Sequence, residues 1–96
     1  MNLDEFKSSL AGETPPTAVT GPLKALWWEA KGNWHHAHDL LQEESGAAGS
    51  WVHAYLHRKE PDISNTSYWY RKAGKPVASG SFEAEWEAIV TALLAE

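Results

Sequence analysis

The chain is punctuated more regularly than anything else in its sequence. Apolar residues recur at helical spacing in six short stretches, each opened by a capping residue or followed by a chain breaker. Leu3, Phe6 and Leu10 form the first stripe, after Asn2 and before Gly12. Leu23, Leu26, Trp27 and Ala30 follow Pro22, a residue suited to a first helical turn, with Thr20 or Gly21 as cap, and stop at Gly32. Asn33 then caps Trp34, Ala37, Leu40 and Leu41, which end at Ser45-Gly46. Ser50 precedes Trp51, Val52, Tyr55 and Leu56, closed by Pro61. Asp62 opens Ile63, Thr66, Trp69, Tyr70 and Ala73, closed by Gly74 and Pro76. Ser81 opens Phe82, Trp86, Ile89, Val90, Leu93 and Leu94, with Glu83, Glu85 and Glu87 in the early turns, where the helix dipole favours anions. No segment alternates with the period of two that a half-buried strand requires, and Val77-Ala78 is too short for one. The pattern predicts an all-α fold: residues 1–20 a short helix and a Pro15-Pro16 connector, 22–45 one helical hairpin, 50–74 a second, and 81–95 a C-terminal amphipathic helix.

At 96 residues this is one domain with a modest core. It contains no cysteine, so neither a disulfide nor a thiolate metal site can staple it. Six tryptophans supply large apolar surfaces instead. The formal charge is −5, from 8 basic and 13 acidic residues. Phosphate recognition needs clustered Lys and Arg, and the short runs His57-Arg58-Lys59 and Arg71-Lys72 fit helix ends better, so nucleic acid is not expected as a partner. No apolar run has the length of a membrane span. Met1–Glu5 is acidic where a secretory leader is basic, which makes the cytoplasm the expected location.

The middle of the chain repeats at an offset of 29 residues. Ala25 then lies over Ala54, Trp27 over Leu56, Gly32 over Pro61, Asn33 over Asp62, Trp34 over Ile63, and Leu40-Leu41 over Trp69-Tyr70. Both copies read as helix, tight turn, capped helix. Lys31-Gly32-Asn33-Trp34-His35-His36-Ala37 resembles the turn of a tetratricopeptide repeat, and Tyr68-Trp69-Tyr70-Arg71-Lys72-Ala73-Gly74 is similar to a segment of Sel1-like repeats. The stretch His53–Glu60 followed by a Trp-Tyr-Arg segment is also similar to small bacterial proteins with no assigned activity. Glu44, Thr66 and Pro61 depart from the repeat pattern. The resemblance implies two stacked hairpins, with the C-terminal helix capping the second through Trp86, Ile89, Val90 and Leu93 and the first helix covering the other end.

Five histidines concentrate the chemistry. His53 and His57 stand four apart on one helix, with Glu60 three residues further, a spacing that points side chains the same way. His35, His38 and Asp39 lie on the preceding helix and extend the candidate ligand set to two helices. The same histidines also suit core-bordering structural roles, and the repeat places His57 over Trp28, at an inward position. Arg58 and Arg71 could hold a carboxylate between helices or pair with Glu60 or Asp62. No nucleophile elbow, phosphate-cradling glycine loop or cofactor motif is present. The leading expectation is therefore a non-enzymatic, tetratricopeptide-like interaction module. It would dock an unidentified protein or peptide through His53, His57, Arg58, Tyr68 and Arg71, with Trp28 and Trp51 as further anchors. The rival is a small metal- or ligand-binding protein or an enzyme, built on His53, His57 and Glu60 with His35, His38 or Asp39. A structural homodimer is the third.

Overall fold

The computed structural model describes residues 1–96. It is all helical, with α1 at Leu3–Ser9, α2 at Gly21–Ala30, α3 at Trp34–Leu41, α4 at Ala47–Lys59, α5 at Ile63–Ala73 and α6 at Phe82–Leu94. No helix is long and apolar enough to cross a membrane. The caps fall where their chemistry places them. Asn2 and Glu5 form a reciprocal capping box on α1. Asn33, Asp62 and Ser81 accept backbone N–H bonds from His36, Asn65 and Ala84. Gly74 ends α5 in the left-handed conformation that glycine adopts without steric cost.

The two turns 29 residues apart are built alike. Asn33 N–H donates to the Trp28 carbonyl, and Asp62 N–H donates to the His57 carbonyl. Lys31 N–H reaches the Trp27 carbonyl as Glu60 N–H reaches that of Leu56. The positions before the caps are left-handed in both turns, Gly32 at φ 89 and Pro61 at φ 26. Glycine tolerates this, whereas the proline ring favours φ near −65°, so Pro61 is strained.

α2 packs on α3 and α4 on α5, and α4 also touches α2, α3 and α6. The core joins Phe6, Leu23, Leu26, Trp27, Ala37, Leu41, Val52, Tyr55, Leu56, Trp86, Ile89, Val90 and Leu93.

Several expectations change. α4 begins at Ala47 rather than after Ser50, with Gly46 as N-cap, because Gly49 and Ser50 are buried inside its first turns. A Cβ on Gly49 would stand 2.7 Å from that of Glu44, so only glycine lets the helix pass there. Ile63 is not core: it is 81% exposed, although its counterpart Trp34 is half-buried. Nor do α1 and α6 cap opposite ends. α6 packs on α1, α2 and α4, with Phe6 against Trp86, Lys7 paired to Glu87, and Trp86 Nε1–H donating to the Leu26 carbonyl at 3.0 Å. One broad apolar face on α6 is covered best where both hairpins and α1 meet it.

Candidate functional site

The site grows from the inward faces of α3 and α4. Ala37 and Leu41 are buried, which fixes the rotation of α3 and turns His38 toward α4. On α4, His53 and His57 are both buried, one turn apart. One ring nitrogen from each of His38, His53 and His57 lies within 4.8 Å of the others. The His53 and His57 rings are nearly parallel, 13° apart with centroids 6.0 Å apart. The His38 ring stands across both, at 90° and 79°.

Two indoles wall the cluster. Trp34 stacks on His38 at 5.0 Å and 10°, and is anchored by its Nε1–H donating to the Leu56 carbonyl at 2.9 Å. Trp69 stacks on His53 at 4.1 Å and 10°. The Lys72 ammonium lies 4.9 Å from the centroid of the Trp69 ring.

Hydrogen bonding assigns the tautomers. The His53 Nε2–H donates to the Leu41 carbonyl at 3.4 Å, because a carbonyl only accepts. Its Nδ1 is then a bare acceptor, buried and without any partner. The His57 Nδ1–H donates to Glu60 Oε1 at 3.2 Å. Gln42 lies 3.2 Å from His38 Nδ1. Burial pushes His53 down to about 4 against the solvation its charged form needs, and the neighbouring His38 and His57 oppose a further positive charge. Burial, with help from His57, lowers His38 too. His38 and His53 are therefore neutral imidazoles at pH 7, the form that donates a lone pair.

The remaining candidates divide. Glu60 is brought to the site, on the far nitrogen of His57. Asp62 joins His57 and Glu60 in a second close group, but its carboxylate is engaged by the Asn65 side chain and backbone, which hold it below the usual range. His35 packs on the edge of Trp34 and Asp39 is exposed; neither joins the three imidazoles. Arg58 does not pair with Glu60 or Asp62: it reaches Glu85 at 2.9 Å and the Gly80 carbonyl. With His53 and His57 buried and Arg58 tied to α6, only Tyr68 and Arg71 of the expected docking set stand exposed. Trp28 and Trp51 are half-buried, Trp28 against Trp27 and His36, and Trp51 under the Lys75 ammonium.

Sequence reasoning gave Trp34 and Trp69 only core roles and missed them as walls of the site; histidine four residues after Trp34 was the available signal. Gln42, four residues after His38, was likewise readable as its partner. Compared with protein-family models, with curated proteins and with solved structures, the chain matches none.

Proposed function

We propose that the protein is a helical binding module whose working element is the imidazole–indole pocket of Trp34, His38, His53, His57 and Trp69. One observation carries this: the His53 Nδ1 is buried with no hydrogen-bond partner. A buried acceptor left bare costs about 1–3 kcal/mol, and interiors seldom tolerate that without a purpose. The His38 and His57 rings gathered around it complete a nitrogen set suited to a cation or a hydrogen-bond donor. Nitrogen-15 spectra of the histidine rings test the proposal, recorded while the untagged protein is titrated with metal ions, small amines and small amides. The expected result is a ligand that shifts His38, His53 and His57 together with the Trp34 and Trp69 indoles, while His35 and His36 stay still. A panel that moves none of the three rings removes the proposal.

A second reading, docking of a protein partner, is supported by a different observation. Three of the five exposed large apolar side chains, Ile63, Tyr68 and Val77, come from α5 and the segment just after it. Sedimentation of the protein alone tests whether that partner is a second copy: a monomer at high concentration excludes the homodimer.

A further inference from the structure

We propose that His38, His53 and His57 form a three-nitrogen site for a divalent transition-metal ion of the zinc class, with a fourth coordination position left for water. The proposal rests on the pocket described above and names its ligand.

Each imidazole has one nitrogen held from outside the cluster and one left for the centre. His53 donates Nε2–H to the Leu41 carbonyl, leaving Nδ1 free. His57 donates Nδ1–H to the Glu60 carboxylate, leaving Nε2 free. Gln42 sits on His38 Nδ1; turned over, its amide carbonyl accepts the Nδ1 proton and leaves Nε2 as the lone pair. Metal-bound histidines characteristically donate their other N–H to a carbonyl, carboxylate or amide, which fixes the ring and raises its basicity. Here all three rings have such a partner. A helical i, i+4 pair plus one imidazole from the neighbouring helix gives three directions converging on a point.

The dimensions suit a small ion. Zinc–nitrogen bonds of about 2.0–2.1 Å put tetrahedral ligands about 3.3 Å apart. One nitrogen of each ring already lies within 4.8 Å of the others, so side-chain rotations can close the set. Imidazole donors select zinc, copper and nickel over magnesium and calcium, which take oxygen. The buried Nδ1 of His53, 4% exposed as a residue, distinguishes this group from the exposed Glu60 and half-buried Asp62 carboxylates.

Titration of the untagged full chain with Co2+, followed by Zn2+ competition, tests the site. The expected result is one Co2+ per chain, with intense visible absorption of tetrahedral type that Zn2+ displaces. His53→Phe, which keeps the ring stacked on Trp69, should weaken binding at least about 100-fold, and His38→Asn likewise. Glu60→Gln, acting on the far nitrogen of His57, should weaken it about 10-fold. His35→Asn and His36→Asn should leave it unchanged. Helical circular dichroism checks each variant, and if His53→Phe does not fold, the half-exposed His38→Asn decides. Binding that needs millimolar metal, or that survives His38→Asn, overturns the metal site. If no metal binds but an amine or amide shifts the three rings, the metal fails and the pocket stands; if nothing binds, both fail.

Discussion

α4 turns two buried polar faces to its neighbours, and they are built on opposite principles. Toward α2 and α6, every buried charge is matched. Glu29 receives Lys59 at 2.5 Å and the Tyr55 hydroxyl at 3.4 Å. Glu85 receives Arg58 at 2.9 Å and the Tyr70 hydroxyl. Burial, reinforced by these carboxylates, pushes both tyrosines well above their ordinary range, so they stay protonated donors. A surface groove of about 540 Å³ opens over this side, and Glu29, Tyr55 and Lys59 in its lining are already paired. Toward α3 and α5, by contrast, three imidazoles meet and one nitrogen has no partner. The first face ties α4 to the bundle. The second keeps a donor free, which is the mark of a site rather than a strut.

Breaking the matched face should have the largest consequence. Glu85→Ala leaves the Arg58 guanidinium and the Tyr70 hydroxyl without their acceptor, and should cost about 3–5 kcal/mol in urea denaturation. Acid should act on the open face. His53 binds protons more readily unfolded, near pH 6.5, than folded, near pH 4. Stability of the metal-free protein is thus full above about pH 6.5 and falls as pH drops toward 4, by about 3 kcal/mol at most. Denaturation series across that range check this, and His53→Phe should flatten the slope.

The same substitution separates the two faces by sign. His53→Phe removes an unpartnered buried acceptor and should raise the stability of the metal-free protein by about 1–2 kcal/mol. The Leu41 carbonyl keeps the Glu44 N–H as donor, so no new orphan is created. Loss of stability on that change would mean that the imidazole is structural. The smallest effect is expected at the turn that leads out of the site. Pro61→Gly gives the φ 26 position a residue that accepts it, and should add about 1 kcal/mol by thermal melting.

Much of the helical skeleton is legible in the chain because caps and breakers act locally. Asn2, Asn33, Asp62 and Ser81 start helices through their own side chains, and Gly74 stops one through its own backbone. The pairing of His53 with His57 is equally local, set by the pitch of one helix. Their third partner is not. His35, His38 and Asp39 are all offered by α3, and the rotation that selects His38 is fixed by burying Ala37 and Leu41 against other helices. Packing also decided the fate of Ile63, whose helix turns Thr66, Tyr70 and Ala73 inward and leaves its first residue in solvent. It decided the partner of Arg58 as well, since Glu85 arrives from a helix 27 residues away. By itself, then, the sequence determined where most helices begin and end and which residues share a helix face, because those depend on neighbours within a turn or two. Only the tertiary structure decided which faces meet, because burial is a property of the whole bundle, and so it alone separated three converging imidazoles from the other ligands that α3 could have offered.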